Sequence, residues 1–159
     1  RGSAGVGGGR ERSVAAGGVD GAMRGRESNG LKPSSDAVID TNGVKEEASE
    51  GVTGFLKEHQ DKGVTAFLCM SDLLAIGTVE ALKDAGCRVP DDYSVVGYDG
   101  LYVTEYTDPR LTTVDQNIKD KGYEAAHLLF DMIEGRRSAQ RLILPHKLEV
   151  RDSVKRLEI

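Results

Sequence analysis

The chain has 159 residues, enough for one domain of ordinary size and too few for two full ones. Hydrophobic residues make up 38% and charged residues 30%, with no Trp, five Tyr and three Phe, so a core is affordable and wholesale disorder is not expected. The formal net charge of −5 argues against a nucleic-acid-binding surface, and no apolar run approaches the roughly 20 residues that span a membrane. Cys69 and Cys87 are too few for a disulfide framework and fit a reducing compartment. The chain opens on Arg1 rather than Met, so it reads as a processed product or a fragment, and no basic start followed by an apolar stretch marks a signal peptide.

Ten of the twenty glycines fall in the first thirty residues. Glycine is costly to order, so residues 1–30 read as a glycine-rich, poorly defined start. A weak helix is possible from Arg10 to Asn29, with Val14, Ala15, Val19, Ala22 and Met23 as its stripe and Asn29-Gly30 as its stop. Ala37-Val38-Ile39 is a short strand closed by Asn42-Gly43. Lys45 to His59 reads as a helix, with Val52, Phe55 and Leu56 at helical spacing. Val64 to Cys69 is nearly all apolar, as in a parallel strand buried on both faces. Ser71 or Asp72 caps a helix running from Leu73 to Ala85, which Gly86 stops. Tyr93 to Tyr98 is a strand, residues 99–110 a loop, and Leu111 to Val114 a short β segment. Asn117 to Glu134 is an amphipathic helix through Ile118, Ala125, Leu129, Met132 and Ile133, and Leu142 to Val150 is extended.

Strands alternating with helices at this spacing predict an α/β domain, a parallel sheet with helices on both faces. Such sheets bind ligands at the carboxyl ends of their strands. Met70, Ser71 and Asp72 after one strand, and Asp99 and Gly100 after the next, are therefore the first places to look. Asp99 can accept two hydroxyl hydrogen bonds, as a sugar or polyol requires, or can simply open the following turn. Asp72 reads as a helix cap ahead of a site residue at the sheet's carboxyl edge.

Other chemical signals are weak. Gly5-Val6-Gly7-Gly8-Gly9-Arg10 lacks the Gly-Lys-Ser/Thr of a phosphate loop and reads as a glycine-rich boundary segment. His59, His127 and His146 are scattered without metal-ligand spacing, and no Gly-x-Ser-x-Gly elbow occurs. Neither a metal nor a cofactor is expected. Cys69 reads as a core residue and Cys87 as structural or exposed.

Four motifs in order carry a resemblance: Phe67 to Gly77, Gly86 to Asp92, Ser94 to Asp99, and Asp108-Pro-Arg-Leu-Thr-Thr-Val-Asp-Gln116. Together they closely resemble the effector-binding domain of the lactose/galactose-repressor family of bacterial transcription regulators. The likeness is strong from Val64 to Ser153, weaker from Leu31 to Lys62 and poor before Asn29. It implies one lobe of a type I periplasmic-binding-protein fold, a fragment of a two-lobed domain behind a DNA-reading headpiece that this chain lacks. Residues 31–116 would be the C-terminal effector lobe, residues 117–136 a crossover helix packing on the missing first lobe, and residues 137–159 a returning strand and tail.

The resemblance also assigns residues. Asp99 matches the family's effector carboxylate in Gly-Tyr-Asp. Ser71 stands where many relatives carry a ligand-contacting Asn, and Asp72 adjoins it. Gln116 falls at the hinge where the chain leaves the lobe. Arg12 is the best match to a ligand-contacting Arg early in the lobe. The stacking aromatic found in relatives after the second strand is absent, with Val44 nearby. Relatives dimerise through this lobe, which puts Leu74, Thr78, Ala81 and Leu82, and Tyr102 in the loop from Leu101 to Tyr106, at a two-fold contact. The implied partners are a small polar effector such as a sugar, a second copy, and operator DNA through the headpiece; the implied location is the cytoplasm, with no membrane contact. Two rivals stand beside this reading: a periplasmic sugar-binding protein of a transport system, and an α/β enzyme using Asp72 and Asp99 as acid and base.

Overall fold

Five parallel strands and one antiparallel strand form a single sheet in the computed structural model, in the order β2-β1-β3-β4-β5-β6. The structure describes residues 2–8, 13–30, 38–59 and 63–156. The elements are β1 (Gly2–Gly8), α1 (Ser13–Ser28), β2 (Val38–Thr41), α2 (Lys45–His59), β3 (Val64–Cys69), α3 (Asp72–Asp84), β4 (Ser94–Asp99), β5 (Thr112–Asp115), α4 (Ile118–Ile133) and β6 (Lys147–Glu149). A short 3-10 turn at Tyr102–Glu105 interrupts the loop between β4 and β5. The α/β class expected from the strand–helix alternation is what is observed.

The two faces of the sheet are dressed unequally. Ala4, Val6, Ile39, Phe67, Cys69 and Val95 point toward α2 and α3 and form the core with Val52, Phe55, Leu56, Leu74 and Leu82. Phe67 packs edge-on against Phe55, with ring centroids 5.8 Å apart. A Cβ on Gly77 would run into the backbone carbonyl of Lys45, so this glycine is what lets α3 approach α2. On the opposite face α1 reaches β1 and β3 through Val19, Ala22 and Met23. Only Phe67 and Cys69 of β3 are fully buried, and Leu68 is half-buried under α1. The expectation of burial on both faces therefore holds for one.

The glycine-rich start departs most from its reading. It is an interior strand, paired in parallel with β2 on one side and β3 on the other. Two neighbours supply the hydrogen bonding that its composition could not promise. Its glycines also make room: the Met70 side chain lies where Cβ atoms on Gly7 and Gly18 would be. Hence Gly5 to Gly8 offer a ladder rather than a phosphate cradle; Gly9 and Arg10 lie outside the described residues.

The chain's end closes the lower edge. Ser153 Oγ donates to Val95 O (2.6 Å) and accepts from Thr112 N (2.8 Å), while Val95 N donates to Ser153 O (2.8 Å). Arg151 donates to Thr104 Oγ1 and Leu111 O. By contrast, none of the described residues of α4 is buried. Its apolar stripe is open, with Ile133 at 71% exposure and Phe130 at 61%.

Candidate effector site

The carboxyl ends of β3 and β4 lie side by side, and α3 starts between them. Ser71 is the N-cap, in extended conformation, and its Oγ accepts from Leu74 N at 3.3 Å. Half-buried, it sits at the rim. The capping role thus falls to Ser71 and not to Asp72.

Asp72, expected at the ligand, is wholly buried. Its Oδ1 accepts from Thr113 Oγ1 at 2.5 Å and its Oδ2 from Leu101 N at 2.6 Å. A carboxylate so enclosed has no surface to offer a ligand; it lies beneath the site. Gly97 makes this possible, because a Cβ there would collide with Asp72 Oδ1.

Asp99 remains at the rim, half-buried, with φ at +121°. Such a backbone is uncommon for a residue with a side chain and costs on the order of 1–3 kcal/mol. Its Oδ1 accepts from Gln116 Nε2 at 2.7 Å. Lys121 Nζ donates to Gln116 Oε1 at 2.6 Å. Asp99, Gln116 and Lys121 therefore form one chain from the end of β4 to the first turn of α4. Lys121 and Thr113 escaped the sequence reading. The signal for Lys121 was its position five residues after Gln116, at the start of the helix; Thr113 had none, since its role depends on a buried partner.

Burial pushes the carboxyls of both Asp72 and Asp99 above their ordinary range, against the pull of their hydrogen bonds. Asp99's negative charge raises Asp72 further. Arg12 lies outside the described residues. Among the described residues no group of three His, Cys, Asp or Glu could hold a metal ion. His127 packs against Tyr123 on α4, with ring centroids 4.2 Å apart. The Cys69 thiol is buried against Thr78 and pushed up to about 12 by desolvation, so it is no nucleophile.

The arrangement can accept hydroxyl donors at Asp99, exchange hydrogen bonds at Ser71 and Gln116, and hold a polar solute at the strand edge. The sequence profile of the periplasmic binding protein-like domain matches residues 19–154, most of the chain. The chain belongs to this family.

Similar proteins in the family are regulators. The HTH-type transcriptional repressor PurR of Pasteurella multocida (strain Pm70) is 33% identical over 137 residues, covering 86% of this chain and 40% of that protein. The solved transcriptional regulator CelR–cellobiose complex superposes with a TM-score of 0.88 at 29% identity, over 95% of this chain and 46% of that one. A LacI family regulator from Arthrobacter sp. FB24, in complex with lactose, superposes at 0.81 and 27% identity, over 96% of this chain and 57% of that one. These relatives bear out the resemblance to lactose/galactose repressors. The chain spans well under half the length of the curated relatives it matches.

Within the family's fold one group of expected residues moves. Leu74, Thr78, Ala81 and Leu82 are buried in this lobe's own core and cannot face a second copy. The helix is apolar on more than one side, and the face carrying these four is the one turned to the sheet. Its outward face carries Leu73, Ile76, Glu80 and Lys83. A groove of about 290 Å³ runs there, from Ile76 and Lys83 to Thr107 and Asp108. Tyr102 is outward, 78% exposed, with its ring 5.5 Å from that of Tyr106.

Proposed function

We propose that this chain is the C-terminal lobe of the effector-binding domain of a LacI-type transcriptional regulator. It holds a small polar effector of the sugar class at Asp99, Ser71 and Gln116, with Arg12 as a further contact. It regulates rather than catalyses, in the cytoplasm. Operator DNA is reached through a headpiece outside this chain. Effector occupancy alters operator affinity by changing how this lobe meets its companion lobe. A second copy pairs through Tyr102, one of the residues first expected there, together with Leu73, Tyr106 and the half-buried Ile76.

The observation that carries the reading is Asp99: a half-buried carboxylate at a strand's carboxyl end, pinned by Gln116 and flanked by the Ser71 hydroxyl. The similar proteins are regulators, two of them bound to cellobiose and lactose, and this favours it over the transport alternative. Nothing in the geometry favours an enzyme, because Asp72 is sealed from any substrate.

The test is a thermal-shift screen of mono- and disaccharides against the whole protein. A sugar that raises the melting temperature should lose at least tenfold in affinity with Asp99→Asn, since that change removes the charge that strengthens hydroxyl bonds to the site. Asparagine tolerates positive φ, so the variant should melt as the parent does without ligand. Undiminished sugar binding by Asp99→Asn would sink the reading.

A further inference from the structure

The Asp72 carboxylate clamps the turn that follows Asp99. Its Oδ2 accepts from the Leu101 amide at 2.6 Å, two residues beyond Asp99, and so ties the start of α3 to the end of β4. The remaining Asp72 oxygen is taken by Thr113 Oγ1 from β5, at 2.5 Å. Three elements thus meet on one buried side chain.

The backbone at the clamp is unusual. Asp99 has φ of +121° and Gly100 of +76°, two consecutive residues in the left-handed half of the map. Gly100 presses on Asp115, where a Cβ would lie 2.7 Å from Asp115 Cα. Asp-Gly favours a turn, but a φ of +121° lies beyond the left-handed well that Asp adopts readily, so contacts from outside the segment must help hold it. Gly97 leaves the space that Asp72 Oδ1 occupies.

We infer that Asp72 is a positioning residue for the effector site: its buried carboxylate holds the Gly100–Leu101 turn and so sets the backbone angle that aims Asp99 across the strand edge. The role rests on the reading of Asp99 as the effector carboxylate for its meaning, but not for its test. Asp72 touches no ligand; it acts through Asp99.

The experiment is solution NMR of the full chain, following the amide–Hα coupling of Asp99 and the amide exchange of Leu101. The parent should show the coupling of a positive φ and a slowly exchanging Leu101 amide. Asp72→Asn sets a side-chain NH₂ against the Leu101 amide or turns its oxygen from Thr113. The Asp99 coupling should then move toward that of an ordinary strand residue, and Leu101 exchange should quicken at least tenfold. Amides of Leu82 and Val95 in the core should stay protected. Thr113→Val should produce the same change in part, and Thr113→Ser should restore the parent values. If Asp72→Asn does not fold, the Thr113 pair decides alone. An unchanged Asp99 coupling in the folded variants overturns the inference, as does a loss of protection spread evenly over the core. No ligand enters the measurement, so failure of the sugar screen and failure of this inference remain separate results.

Discussion

At the scale of single residues, the two aspartates divide the work that the sequence left open for each. Asp99 stays at the surface and Asp72 goes under it, and their electrostatics follow. Both carboxyls are raised by burial, so the native state holds their protons more tightly than the unfolded chain does. Between the ordinary carboxyl value of 3.8 and the raised values, acidification therefore stabilises the fold. Below 3.8 the balance reverses, because Arg88 holds Asp92 down to about 2, and Asp152 is lowered by Arg110. Urea midpoints measured from neutral pH downward should first rise and then collapse. Asp72→Asn should flatten the rise while leaving the collapse in place; an undiminished rise would show that Asp72 does not titrate as described.

Elements were legible to very different degrees. Lys45–His59 and Val64–Cys69 were read with the bounds that the structure has, because their apolar periods of 3.6 and their β-rich run are local signals. β1 was missed because a glycine strand carries no local signal; it exists by virtue of β2 and β3 on either side. The inward face of α3 was misjudged because Leu, Ala, Ile and Val fall on several sides of it, and period alone does not say which side meets the sheet. The position of Asp72 was hidden too, since it depends on Gly97, twenty-five places along the chain and one strand over. Helix packing supplies the prediction at this scale. Gly77→Ala drives a methyl into the Lys45 carbonyl, a backbone atom with little freedom to yield. It should cost about 1–3 kcal/mol despite alanine's better helix propensity. A chemical-denaturation midpoint equal to or above the parent's would mean that α2 can slide away.

For the molecule as a whole, the strongest asymmetry is between a well-filled core and an uncovered α4. Ile118, Leu129, Phe130, Met132 and Ile133 are all open, and Leu142, Ile143 and Val150 add to them. An apolar surface of this extent is a partner's seat. We expect the chain alone to associate, with sedimentation that depends on concentration. Phe130→Ser with Ile133→Ser should suppress that association while shifting stability by no more than about 0.5 kcal/mol each, since neither side chain is packed. Tyr102→Glu should act separately, weakening the proposed pairing of two copies of the whole protein while leaving the α4 surface as it is. A chain that melts cooperatively as a monomer at high concentration would refute the assignment of α4 as the crossover to a companion lobe.

The contact between Asp99, Gln116 and Lys121 gives the site a mechanical property. Any ligand hydroxyl that claims Asp99 Oδ1 competes with the Gln116 amide, and Gln116 is roped to the first turn of α4 through Lys121. That helix has 16 residues, so it is a rod about 24 Å long, fixed at one end and free at the other. A tilt of about 5° at Asn117 would carry Ile133 through about 2 Å at that rod length. On the proposed reading, one exchanged hydrogen bond at the fulcrum would be amplified into a displacement large enough to dislodge one packed surface from another.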